Sequence, residues 1–164
     1  MHASQTTNQP AGFLVIGYGN TLRGDDGVGP RVAEAIGKLN LPGVHALVCQ
    51  QLSPEYADPV SRAHTVVFVD AAVDAPKEVQ LRKLEPGESS QLMAHAADPR
   101  TMLALARDVF GHVPEAWWLT IPAIHLGFGT DYSPAAEAGF HTAVAEIKKL
   151  VFDNFRQDNA ALLV

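Results

Sequence analysis

Thr65-Val66-Val67-Phe68-Val69 is an unbroken β-branched and aromatic run that ends at Asp70. A strand that alternates apolar and polar residues can leave one face in water, but a strand apolar at every position has to be covered on both faces. That condition belongs to the centre of a parallel sheet in a layered α/β domain, and the rest of the chain carries the matching alternation of short apolar runs and longer helical stretches. Phe13-Leu14-Val15-Ile16 predicts a first strand, followed by a glycine-rich turn and a helix from about Gly27 to Leu39. Val28, Val32, Ile36 and Leu39 form its apolar stripe, and Pro30 fits its first turn. Val44 to Val48 predicts a further strand. Val79 to Leu84 alternates apolar and polar residues, as a more exposed edge strand does. Asp98-Pro99 predicts the start of a helix that Gly111 stops, Trp117 to Ile121 predicts another strand, and Ser133-Pro134 predicts the cap of a long final helix.

The chain has 164 residues, enough for one domain and too few for two ordinary cores. We place that domain at residues 12–155, with a flexible lead-in at 1–11 and a C-terminal tail at 156–164. Apolar residues make up 47% and charged residues 18%, a globular rather than a disordered composition. Twelve basic residues against eighteen acidic ones give a net charge of -6, and no basic block exceeds the pair Lys148-Lys149, which argues against nucleic acid and anionic membrane as partners. The single cysteine, Cys49, allows no internal disulfide and no thiolate zinc site, and it is expected as a small buried residue at a strand end. No export signal or membrane span is evident, so a cytoplasmic location is expected.

The most informative segment is Gly17-Tyr18-Gly19-Asn20-Thr21-Leu22-Arg23-Gly24-Asp25-Asp26-Gly27, between the first strand and its helix. Ligands of open α/β sheets gather at the carboxyl ends of the strands, where this loop falls. A dinucleotide fingerprint would need glycine at position 22, where Leu22 stands, and two adjacent carboxylates would repel a pyrophosphate at the helix end that usually attracts one. The loop suits a cation or a polarised carbonyl better. Asp25 is expected to cap the helix, which leaves Asp26 without a structural task. Gly17, Gly19 and Gly24 either permit tight turns or let something approach the backbone closely.

Asp70 follows a buried strand, and the first and third strands of doubly wound sheets are often neighbours, which would bring Asp26 and Asp70 to one edge. Taken alone, Asp70 is equally explained as a capping or turn residue. His95 precedes the Asp98-Pro99 helix, where a strand-end crevice would open, although a single loop histidine is more often simply solvated. His125, in Ile124-His125-Leu126-Gly127-Phe128-Gly129, is held in reserve. Together Asp26, Asp70 and His95 make a ligand set suited to a borderline divalent ion without selecting among nickel, zinc, manganese and iron. Such a site could polarise a carbonyl, activate water, or hold a metal that something else delivers. No nucleophile elbow, P-loop or H-E-x-x-H helix offers a different mechanism.

The segment VIGYGNTLRGDDGVGPRVAEAI resembles the opening strand, G-x-G-N-x-L-x-x-D-[DE]-x-[IVG]-G loop and first helix of the hydrogenase maturation endopeptidases. These enzymes trim the C-terminal extension from the large subunit of nickel-iron hydrogenases. VVFVDAA around Asp70, the histidine before a helix at His95, and Ser133-Pro134 extend the likeness over most of the chain. By motif position the metal contacts of that family fall on Asp26, Asp70 and His95. The resemblance implies a three-layer α/β/α fold with a mixed, mainly parallel five-stranded sheet, acting as a monomer on one protein partner, the large-subunit precursor. It also implies that the nickel is carried by the substrate, that the resting enzyme holds none, and that Asp26 or Asp70 serves catalysis as a base. Asn20, Gly17, Gly19, Asp25 and His125 would shape the cleft or meet the substrate. IPAIHLGFGTDYSP departs from the usual acidic residue and G-x-x-L-S pattern, so substrate choice would differ there. Two other readings fit the same residues: a metal-binding module that checks cofactor insertion without cutting, and a general small-molecule metallohydrolase.

Overall fold

The computed structural model describes residues 12–74, 77–88 and 98–163. Five strands, β1 (Phe13–Tyr18), β2 (Val44–Cys49), β3 (Thr65–Ala72), β4 (Gln80–Leu84) and β5 (Glu115–Pro122), form one sheet in the order β2-β1-β3-β5-β4. The pairs β1–β2, β1–β3 and β3–β5 are parallel, and β4 runs antiparallel to β5 at the edge. Four helices flank the sheet: α1 (Val28–Lys38), α2 (Ala57–Arg62), α3 (Pro99–Phe110) and α4 (Pro134–Ala161). This is the three-layer, mainly parallel α/β architecture that the central apolar strand requires.

Burial follows from that order. β3 sits in the middle, and residues 65 to 69 are all fully buried. Val67 and Val69 face one way, into a core with Val15, Val32, Ile36, Leu119 and Ile147 under α1 and α4. Val66 and Phe68 face the other way, with Leu14, Ile16, Val60, Met102 and Leu103 under α2 and α3. Ends are set by the expected chemistry: Asp98 accepts from the Arg100 amide, Gly111 closes α3 in the left-handed region, and Ser133 accepts from the Ala136 amide.

Two expectations need correction. Asp25 does not cap α1; the cap position is Gly27, without any side-chain bond, because a 3₁₀ turn at Gly24–Gly27 precedes the helix and draws the Asp25 side chain inward. Cys49 is half-buried rather than buried, since β2 is an edge strand. α4 runs on through Arg156 to Ala161, with residues 156–163 exposed. The sequence reading also missed α2 and the 3₁₀ turn Pro54–Tyr56 before it. Six residues with Pro59 among them are too few to show a helical stripe.

The strand-to-helix crossing of β1 over α1 depends on two glycines. A Cβ on Gly17 would land on the Gly29 carbonyl, and a Cβ on Gly29 would come within 2.5 Å of the Val69 oxygen and 2.7 Å of the Tyr18 oxygen. The backbones of β1, β3 and α1 therefore approach as closely as peptide groups can, which fixes where the turn between them opens. Gly17→Ala is expected to destabilise the fold by about 2 kcal/mol or more, because backbone rather than a side-chain tip must move. In urea unfolding, Gly37→Ala, whose new methyl would meet only the Ala46 side chain at 3.3 Å, should stay within about 1 kcal/mol of wild type.

Candidate active site

The turn after β1 and the end of β3 meet at the carboxyl edge of the sheet. Register pairs Gly17 with Val69, so Tyr18 and Asp70 follow side by side, and Asp70 pairs with Thr120 on β5. Asp26, on the 3₁₀ turn, is half-exposed and accepts a hydrogen bond from the Asn20 backbone amide at 2.7 Å. Gly19 has φ +147°, and a Cβ there would collide with the Asp26 carbonyl and lie 3.6 Å from its Cγ. Only glycine leaves this carboxylate its place. The Asn20 side chain closes the turn by accepting from the Leu22 amide at 3.0 Å.

Asp70 is half-buried, and its carboxyl is pushed up to about 6. Burial is the main cause; the Tyr18 hydroxyl and the Ala71 amide favour the charged form, and the negative charge of Asp26 adds to the rise. The two carboxylates therefore feel one another at the carboxyl edge of the sheet. Burial and then the Asp70 charge drive the Tyr18 hydroxyl far above its ordinary range. That hydroxyl interacts with both the Asp70 carboxyl and the Trp118 indole, with geometry short of a full hydrogen bond to either. The indole Nε1 of Trp118 and the Thr120 hydroxyl are likewise buried and without a full hydrogen bond among the described residues. Tyr18, Trp118 and Thr120 thus place three buried polar groups at the same sheet edge as Asp70. Nothing in local sequence pattern flags Tyr18, Trp118 or Thr120; the register of β1, β3 and β5 is what would have found them.

Asp25 has the opposite character from Asp26. It is fully buried, and its carboxylate accepts from the amides of Ile124 (2.9 Å), His125 (3.0 Å) and Ser133 (2.7 Å) and from the Ser133 hydroxyl (2.7 Å). Burial alone would raise its proton affinity, but these four bonds outweigh it and hold the carboxyl below its ordinary value. Asp25 thus ties the turn after β1 to the loop after β5 and to the start of α4. Arg31 on α1 adds a bidentate contact to Glu137 on α4 at 2.6 and 2.9 Å and lies over the Phe140 ring.

His125 is exposed, and its ring covers Gly24 and Gly127. His95 lies outside the described residues. Asp98, three residues further on, caps α3, and its charge reaches Tyr18. Among the described residues no three of His, Cys, Asp and Glu come together as a metal site, so the described crevice contributes a pair of carboxylates, Asp26 and Asp70. The turn residues Gly19, Asn20, Thr21 and Leu22 also wall a groove of about 370 Å³, closed on its far side by Val48, Cys49 and Gln50.

A three-layer α/β domain with a two-carboxylate crevice at the carboxyl edge of its sheet is the class that fold and site define. No protein-family model and no curated protein matches the sequence. Solved structures do match in fold. The hydrogenase maturating endopeptidase HybD of E. coli superposes with a TM-score of 0.67 at 18% identity, over 87% of this chain and 93% of that one. The [NiFe] hydrogenase maturation protease HycI of Thermococcus kodakarensis gives 0.67 at 21% identity, over 85% and 91%. The hydrogenase 2 maturation peptidase of a Thaumarchaeota archaeon gives 0.63 at 24% identity, over 85% and 97%. At these identities the likeness establishes a shared fold spanning nearly the whole of those proteins.

Two stability measurements test the separate natures of the acids. Asp25→Asn replaces an accepting oxygen with an amino group that faces donors, so it should cost about 2–3 kcal/mol in urea at pH 7 and speed amide exchange at Ile124, His125 and Ser133. The wild-type advantage should fade as pH falls through the lowered Asp25 value, since a carboxyl held below its ordinary range stabilises the fold only while ionised. Asp70 has the opposite sign. With its proton affinity raised in the fold, its favourable contribution is complete below 3.8 and is lost as pH rises to about 6. Asp70→Asn, which carries no charge at any pH, should therefore be more stable than wild type above pH 6 by about 1–3 kcal/mol, a gap that closes below pH 4 in thermal melts. A gap independent of pH would contradict the assignment.

Proposed function

We propose that this chain is an endopeptidase that removes the C-terminal extension of a nickel-iron hydrogenase large-subunit precursor once nickel has been inserted. The observation that carries the reading is the convergence of Asp26 and Asp70 at the carboxyl edge, on the fold shared with proteins named as hydrogenase maturation proteases. His95 is the proposed third contact. The nickel belongs to the substrate, and the resting enzyme carries none.

The chemistry follows from the pair. Burial, with the Asp26 charge adding to it, leaves the Asp70 carboxyl reluctant to ionise, and a cation presented by the substrate relieves that reluctance. A metal-loaded precursor therefore docks as the partner that completes the site, and a metal-free one meets uncompensated repulsion. With the scissile carbonyl polarised, a carboxylate of Asp26 or Asp70 takes the proton of the attacking water and returns it to the leaving amine. Asn20 and Gly19 keep Asp26 aimed, and Tyr18 does the same for Asp70 from the end of β1. In this reading the protein works as a cytoplasmic monomer on a single protein partner.

Incubation of the purified chain with a nickel-loaded large-subunit precursor, followed by mass spectrometry, tests the proposal. Loss of the C-terminal extension is expected from the loaded precursor and not from its nickel-free form. Asp26→Asn and Asp70→Asn should each lower the rate by about a hundredfold or more while melting cooperatively, and His95→Ala should weaken recognition of the loaded precursor. Unimpaired cutting by both aspartate variants would remove them from the chemistry. A purified protein that retains a stoichiometric metal and hydrolyses short amides or esters would instead be a small-molecule metallohydrolase.

A further inference from the structure

Leu22, Ile124 and Phe128 are 55%, 71% and 92% exposed, and they stand on the turn after β1 and the loop after β5 that Asp25 ties together. Exposed apolar side chains are unremarkable singly and informative when gathered at a site. The exposure here is imposed by backbone bonding. Asp25 holds the amides of Ile124 and His125, the Gly129 amide donates to the Leu22 carbonyl at 2.8 Å, and the Gly24 amide donates to the Gly129 carbonyl at 2.9 Å. The parallel bridge between Arg23 and Gly129 sets the preceding residues, Leu22 and Phe128, alongside each other. Phe128 is held out from the surface by a loop that is tied at both ends.

The rim joins Asp26 through the turn after β1. Asn20, whose amide binds Asp26, is two residues from Leu22, and Leu22 also lines the groove that runs to Val48. Residues 121–130 read IPAIHLGFGT and contain no Asp, Glu, Lys or Arg, so an apolar partner would displace water there without stripping a fixed charge.

We propose that this rim is the docking surface for the protein substrate, and the inference rests on the function proposed above. An apolar stretch of the precursor polypeptide next to the scissile bond seats on Leu22, Ile124 and Phe128 while its metal centre faces Asp26 and Asp70. The occupant has to match both halves of the surface: a cation for the carboxylate pair and an apolar chain for the rim. A second copy of this chain seated on the rim would cover the carboxylates that the substrate needs.

Steady-state processing of the nickel-loaded precursor tests this with four proteins: wild type, the double variant Phe128→Ser with Ile124→Ser, Phe128→Leu, and Val109→Ser. Val109 is an exposed apolar residue of α3, in the layer over the opposite face of the sheet from α1 and α4. The double variant should raise KM about tenfold or more with kcat within about twofold of wild type. Phe128→Leu should stay within about threefold, and Val109→Ser should match wild type. An unchanged KM in the double variant, with wild type cutting normally, overturns the docking surface and leaves the proposed function standing. A wild type that does not cut the precursor overturns both. A wild-type dimer that the double variant converts to monomer assigns the rim to self-association and overturns the docking role.

Discussion

A carboxylate buried without a cationic partner is tolerable only if its oxygens are saturated by donors, and in this protein that requirement shapes the functional edge. Asp25 draws on three backbone amides and one hydroxyl from a segment about a hundred residues away in sequence. The turn after β1, the loop after β5 and the first turn of α4 are consequently one unit. Ser133 takes part twice, donating to Asp25 and accepting from Ala136, so the start of the last helix is set by the same carboxylate. Neighbouring Asp26 owes its position to this anchoring and is left free to face the crevice.

The two adjacent acids sit in opposite environments. One is ionised, saturated and inaccessible; the other is half-exposed and shares an electrostatic neighbourhood with Asp70. Burial around Asp70 comes from the sheet, because β3 is the central strand and Tyr18, Trp118 and Thr120 crowd its end. Burial, with the nearby Asp26 charge adding to it, disfavours the ionised Asp70 carboxylate. On the function proposed above, relief of that cost by a cation is how the protein would inspect a metal before acting on the chain that holds it.

Much of this was legible in the sequence, for reasons that differ by element. The unbroken run at 65–69 demanded two covering layers, and caps at Asp98 and Ser133 fixed helix starts, because those signals are local. The adjacency of Asp26 and Asp70 was legible from topology, given that the first and third strands neighbour each other. Asp25 was misread as a helix cap because its true partners lie in the loop at 124–133, and no local rule connects segments so far apart. The same non-locality hid Tyr18, Trp118 and Thr120, whose meeting depends on strand register. The short helix α2 escaped because six residues cannot display a period.

The account stands or falls on where a divalent ion settles. Anomalous diffraction at the nickel edge, from a crystal of this protein soaked in nickel, measures that directly. The expected map has its strongest peak between the carboxylates of Asp26 and Asp70, with the His95 imidazole completing the contact. A strongest peak at His125 or another surface histidine, with none between the two aspartates, would contradict it.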